Sequence, residues 1–342
     1  YKRQVAACSG VQSGHMATAL GWIAGLGLHM GDYARAEETS SAAVAMFEAL
    51  GDEAGAMKEQ NSLANTNLAS GRNEQARAIY DKLVAFFDAR GDNYVHLPMD
   101  NRAMVAVWQD DPVTATKLIG RLHDYATRLD NPEIDAWATL LEGDLAAMLD
   151  DVETMGDAYE RALEHSLDAG NRLLEGWART GMADVARIRG DYAKAHDLLA
   201  TASQAGTESG AASIDWVGLV VRIDLAAEER DSQAFEAALN RLLASSLQWT
   251  DTRTLAMSAL GYGLEVIHDD PANAARLLGL HEAAFTSEKL ARRPRHQRLF
   301  EAAKVELRAE LGEAAFESAW NEGAAISPLD VMSLMPDLLQ RS

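Results

Sequence analysis

The sequence predicts an all-α solenoid of about seven helical hairpins, closed by a C-terminal helical cap. Three observations carry that expectation. Seven segments of related pattern begin at Gly31, Gly71, Asp110, Asp150, Gly190, Arg230 and Asp269, so successive starts lie 40, 39, 40, 40, 40 and 39 residues apart. A nearly fixed period in this range is the mark of stacked supersecondary units. Apolar residues recur at helical spacing, and no run of alternating apolar and polar residues competes for a strand. Hydrophobic residues make up 48% of the 342-residue chain and charged residues 24%, enough for a core and too apolar for a disordered tail.

Each segment opens the second helix of a hairpin. A Gly-Asp or Asp-Asp turn precedes it in most segments, and Tyr33, Pro112, Tyr192 or Pro271 follows two residues after the segment start. Aspartate there can cap free amides, and proline suits a first helical turn. The sixth residue is Ala36, Ala76, Ala115, Met155, Ala195, Phe235 or Ala274, and a matching first-helix column lies seven residues before the turn: Ala24, Ala64, Ala103, Gly143, Ala183, Ile223 and Tyr262. Mostly small, the two columns predict the close crossing of each hairpin. Leu26, Thr66, Val105, Leu145, Val185, Leu225 and Leu264, five residues before the turn, are expected to be buried. Phe47 and Phe87 share one position of the second helix, and Tyr80 and Tyr159 another. The apolar stretch from Met16 to Met30 is shorter than the ~20 residues of a membrane span and reads as a buried helix. Repeats are thus expected over residues 1–290, with second helices starting near 31, 71, 110, 150, 190, 230 and 269, and a helical cap over 291–342.

Small column, turn, aromatic or proline, then small column again resembles the tetratricopeptide repeat, most specifically in GDYARA from Gly31 and GDYAKA from Gly190. The standard unit has about 34 residues, so the resemblance is to a divergent, longer unit, and it covers roughly residues 13 to 290. It implies a right-handed superhelix with a concave groove. A second resemblance lies in AARLLGLHEAAF, from Ala274 to Phe285, and LGEAAFESAWNEGAAISPLDVM, from Leu311 to Met332. These look like the closing segment of the helical-repeat region in large actinobacterial STAND-type or LuxR-family regulators. That likeness implies a sensor or interaction region joined, in the parent protein, to ATPase and output domains. The start at Tyr1, without an initiator Met, fits an excised piece of such a protein. Read from the residues alone, the same stretch is an amphipathic helix pair covering the open face of the seventh unit.

The chemistry of most enzyme classes is missing. No Gly-rich loop with a Lys-Ser/Thr pair is present, and Gly25, Gly27 and Gly31 are misspaced for phosphate. The nine histidines are scattered, His281-Glu282 lacks a second histidine at helical spacing, and no Gly-x-Ser-x-Gly elbow occurs. Cys8, the single cysteine, permits no internal disulfide and suits a reducing cytoplasm. No catalysis, cofactor, metal or membrane association is expected; a helical-repeat hydrolase would need a catalytic constellation the sequence does not display. With 31 basic and 52 acidic residues the net charge is −21, which repels nucleic acid.

One column suggests a surface for a partner. Six residues before the turns lie Gly25, Asn65, Met104, Asp144, Asp184, Asp224 and Gly263. The tetratricopeptide resemblance turns this position toward the groove and makes Asn65, Asp144, Asp184 and Asp224 candidate binding residues. Arg102, Arg179, Arg187 and Arg222 lie in the same helices. Together they could hold a protein or peptide, or a polar or cationic small effector, by charge-assisted hydrogen bonds; a solvated wall with internal ion pairs is the alternative. Trp137, Trp177 and Trp216 either line the same groove or fill the space between units. The stretch KLARRPRHQR, from Lys289 to Arg298, holds five of the 31 basic residues and no acid. Its Arg292, Arg293, Arg295 and Arg298 are expected to pair ionically between domains or subunits, in a homo-oligomer for instance; a solvated loop and nucleic-acid contact are the alternatives. The functional expectation is a noncatalytic sensor or interaction region of a bacterial regulator, or else a standalone adaptor that binds peptides or proteins.

Overall fold

A glycine or a polar residue in the left-handed backbone region reverses the chain in five of the repeats, and a capping aspartate follows the turn in most of them. Gly71, Asp110, Asp150, Gly190 and Arg230 have φ of 79°, 55°, 62°, 77° and 58°. Glycine reaches that region without cost, and aspartate tolerates it better than most residues. The next residue then caps the second helix: Asp32, Asp111, Asp151, Asp191, Asp231 and Asp270 each accept the backbone N–H three positions on. Arg72 stands at the equivalent place and gives no side-chain cap.

The computed structural model describes residues 13–335 apart from 31, 210–211 and 250–251, so Cys8 lies outside the described residues, as does the side chain of Trp216. Among the described residues sixteen α-helices follow one another: α1 (Gly14–His29), α2 (Tyr33–Ala49), α3 (Glu53–Ala69), α4 (Asn73–Asp88), α5 (His96–Trp108), α6 (Pro112–Leu129), α7 (Pro132–Met148), α8 (Val152–Asp168), α9 (Arg172–Ile188), α10 (Tyr192–Ser209), α11 (Ala212–Glu229), α12 (Ser232–Trp249), α13 (Thr252–Glu265), α14 (Pro271–Ser287), α15 (Pro294–Leu311) and α16 (Glu313–Ala324). Single 3-10 turns occupy Asn93–Val95 and Pro328–Leu334, and there is no strand among the described residues. The second helices start at Tyr33, Asn73, Pro112, Val152, Tyr192, Ser232 and Pro271, each two residues beyond the segment start read from the sequence.

The small columns form the crossings. Ala36, Ala76, Ala115, Ala195 and Ala274 are fully buried, and Ala24, Ala64, Ala103 and Ala183 no more than 1% exposed. Where glycine replaces alanine, an aromatic ring uses the space: a Cβ on Gly143 of α7 would stand 2.6 Å from the Tyr159 ring, and one on Gly181 of α9 2.5 Å from its other edge. Thr66, Val105, Val185 and Leu225 are buried as expected, whereas Leu145 and Leu264 are half-buried and Leu26 is exposed. The apolar stretch read as a buried helix is α1, and it is buried on one side only; Trp22, Leu26 and Met30 share an exposed flank. No helix among the described residues is long and apolar enough to cross a membrane.

The chain divides into two compact units: residues 1–102 with 248–251, and residues 103–247 with 252–342. The first centres on buried Tyr80, Leu83 and Phe87 of α4, with Phe47, Ala17 and Ala56 joining α2 to α1 and α3. In the second, Met155, Tyr159 and Leu174 knit α7 to α9, and Leu199, Val221 and Leu225 knit α9 to α11. Its C-terminal part completes the last hairpin. Phe300, Leu307 and Phe316 of α15 and α16 pack on Leu260 and Leu278, while Val331, Leu334 and Met335 close a cluster shared with Phe235, Leu239 and Leu277.

Candidate partner-binding site

Asp144, Asp184 and Asp224 stand at one register of α7, α9 and α11 in the second unit, because the repeat places them 40 residues apart. Each helix presents that register on the same side, so three carboxylates form a column. The basic stretch that stood out in the sequence lies on this column. Residues 289–293 leave α14 without regular structure, and α15 begins at Pro294. Arg293 donates to Asp184 at 2.7 Å and stands 3.7 Å from Asp144. Arg295 pairs with Asp224 at 3.1 Å and Glu228 at 2.7 Å, and His296 Nε2 lies 3.1 Å from Asp224. Arg298 reaches Asp150, at the α7–α8 turn, at 3.0 Å. These arginines of the segment expected to be the cap thus pair with acids of the repeats, all within the second compact unit.

Beneath the strap, Arg187 of α9 is 4% exposed and serves the same acids from below, donating to Asp184 at 2.6 Å and Glu228 at 2.5 Å. Burial works against its charge, but Asp184 and Asp224 outweigh burial and raise its pKa. Asp224 is half-buried, which works against its charge, yet His296, Arg295 and Arg187 hold its carboxyl well below the usual carboxylate range. Asp144 differs: burial pushes its pKa up against Arg293, and Tyr159 donates to it at 2.7 Å.

The strap is pinned at Arg292, whose side chain is 8% exposed, lies 3.8 Å over the Phe300 ring and pairs with Glu282. Arg292 Nε donates to His281 Nε2 at 2.7 Å, while His281 Nδ1 lies 2.8 Å from the Ala256 carbonyl. Arginine can only donate, so His281 is neutral with its proton on Nδ1. Burial, then Arg292, depresses its pKa to about 3. Two hydrogen bonds tie the strap's start to the end of α5: Ala291 N–H donates to the Trp108 carbonyl at 2.8 Å, and the Gln109 side-chain Nε2 donates to the Glu288 carbonyl at 3.1 Å.

These pKa values fix an acid dependence. A histidine whose folded pKa is depressed leaves the folded chain with fewer protons than the unfolded one, so the stability it contributes is full above its unfolded value of 6.5 and drains as pH falls. Asp224, also depressed, loses its contribution in the same direction at lower pH. In urea denaturation the stability difference between wild type and His281→Gln is expected to shift by on the order of 3 kcal/mol against wild type between neutral pH and about pH 4, a comparison from which the opposite contribution of Asp100, whose carboxyl burial pushes up to about 7, cancels. A difference that stays constant across that window would contradict a neutral, buried His281.

The remaining sequence candidates are placed as follows. Asn65, in the first unit, accepts from Tyr80 at 2.7 Å and from Asn101 at 3.3 Å. Arg102, in the first unit, pairs with Asp81 at 2.5 Å, and Arg179, in the second, with Glu175 at 2.9 Å. Arg222 lies 3.4 Å from Ser203 Oγ. Trp137 and Trp177 meet edge-on, ring centres 4.8 Å apart, against the α7–α9 core, which is the space-filling alternative. Sequence reading missed Glu228 and the role of Arg187. Their signal was present: Arg187 follows Asp184 by three residues and Glu228 follows Asp224 by four, so each shares a helix face with its acid.

No protein-family model matches the chain, and no curated protein matches it in sequence. Among solved structures it is similar to a Rap protein in complex with competence and sporulation factor, at 12% identity and a TM-score of 0.58, covering 96% of this chain and all of that one. At that identity the likeness concerns architecture alone, and by architecture this is a tetratricopeptide-like helical-repeat chain.

Proposed function

We propose that the chain is a noncatalytic helical-repeat interaction domain that recognises a positively charged segment of a protein or peptide partner along α7, α9 and α11. One observation carries the reading: a stretch of ten residues with five basic and no acidic side chains already sits on the column formed by Asp144, Asp184 and Asp224. The solved relative in fold was crystallised with a bound factor, which supports the use of this architecture for binding. The wider setting, a sensor region of a STAND-type regulator, rests on the resemblance of the stretches from Ala274 and Leu311. An ATPase module in the same reading frame is the expected finding; without one, the standalone adaptor is the better description.

The binding test uses the full chain carrying Arg293→Gln and Arg295→Gln, which removes the two arginine charges that meet Asp144, Asp184 and Asp224 while keeping hydrogen-bond donors. A fluorescent peptide of residues 289–298 is expected to bind this variant, more weakly as salt rises, and to lose further affinity when Asp144→Asn is added. A folded variant that leaves the peptide free at low salt sinks the proposal.

A further inference from the structure

We infer that the face beneath the strap is a docking site for an external segment carrying arginine beside a large apolar side chain, and that the strap is its built-in competitor. This rests on the interaction reading above and names its partner and its control. Residues on three separate helices contact the strap, Asp144 of α7 and Asp184 of α9 through Arg293, and Asp224 of α11 through Arg295 and His296 in the first turn of α15, so the basic segment is read across successive units of the array. The occupant is held there by charge with little apolar contact. The Arg293, Arg295 and Arg298 side chains are 38%, 30% and 64% exposed, and ion pairs so placed are individually weak.

Beside Asp224 and Glu228 the structure holds what the strap fails to use. A cavity of about 390 Å³ opens there, walled by Ile223, Leu239, Leu260 and Leu264, with Arg295 and His296 also in its lining. Its volume suits a large side chain, and its walls are apolar where the strap offers only polar tips. A competing segment with the same arginines and one phenyl group gains apolar burial that the strap lacks. The site thus favours a partner over its own occupant without needing stronger ion pairs.

Release is local. Arg292 is buried on Phe300, and α15 is held by fully buried Phe300 and Leu307, so residues 293–298 can leave the column while the helix stays docked. Only residues 294–298, about the first turn and a half of α15, must fray, and helix ends open at little cost. The strap therefore remains tethered beside the column and returns when the partner leaves.

The test compares two peptides on the full wild-type chain: residues 289–298 as they stand, and the same peptide carrying His296→Phe. The second is expected to bind about tenfold more tightly, because only it can fill the cavity. Gly261→Leu fills that cavity from within; a Cβ there meets nothing closer than Ile223 Cγ2 at 3.8 Å, so the variant should fold normally. On it the advantage is expected to vanish. Equal binding of both peptides to wild type, with either bound by the Arg293→Gln/Arg295→Gln chain, overturns the apolar subsite and leaves the interaction reading standing. Failure of both peptides on that charge-removed chain overturns the reading and the inference with it.

Discussion

Arg187→Met is expected to lower the unfolding free energy by about 3–5 kcal/mol, the usual cost of removing one partner from a buried ion cluster. The side chain of Arg187 is 3% exposed and that of Asp184 5%, with 2.6 Å between them, and the same guanidinium holds Glu228. Methionine fills much of the volume but leaves Asp184 with Arg293 alone and Glu228 with Arg295 alone. Both surviving arginines belong to the strap, so the acids would pull harder on it even as the repeat beneath loosens. The midpoint of urea denaturation should fall with little change in slope. Adding Asp184→Asn should recover part of the loss, because it withdraws the stranded charge. A single variant within about 1 kcal/mol of wild type would mean that the cluster is far better solvated than its burial indicates.

The hairpins were legible because every repeat solves the same local problem with the same residues. A left-handed turn position demands glycine or a tolerant polar residue, the next position demands a cap, and the crossing demands small side chains, so Gly190-Asp191 and Ala195 carry their own explanation. The acid column was legible for the same reason. Its occupant was not: Arg293 and Asp184 are 109 residues apart, and opposite charges that meet across such a distance leave no spacing to read. Arg102 and Arg179 were drawn toward the column on the ground of sharing its helices, but the nearest acids, Asp81 and Glu175, claim them. Asn65 and Asp144 share a cue that sequence does hold, a tyrosine 15 residues later, Tyr80 or Tyr159, that donates to each from the second helix. That recurrence marks the register as a point where hairpins are fastened as well as a surface. A fully exposed wall would have no need of it.

Gly323→Val is the second large effect, and it tests whether the C-terminal helices are integral to the last hairpin. α14 and α16 cross with glycine on both sides: a Cβ on Gly323 would stand 1.8 Å from the Arg276 carbonyl oxygen and one on Gly279 2.3 Å from the Trp320 carbonyl oxygen, both far inside van der Waals contact. Backbone atoms form these contacts, so no side chain can turn aside to make room, and the helices must separate. Separation uncovers Phe316, Leu278 and Phe300, all fully buried, and stretches the Arg276–Glu322 pair at 2.8 Å. A loss of about 3 kcal/mol or more is expected, at the upper end of overpacking costs. It should come with a red shift in tryptophan emission, Trp320 lying among the displaced rings. Gly120→Ala is the matched control. Nothing stands within 4 Å of a Cβ there, so helix propensity should make it neutral or stabilising by about 0.5–1 kcal/mol. Because α15 carries the strap, loosening α16 should also raise the affinity of the 289–298 peptide for the acid column. If Gly323→Val instead melts like wild type, the α14–α16 crossing is looser than a glycine-to-backbone contact permits, and the strap's anchorage would then rest on Arg292 and Phe300 alone.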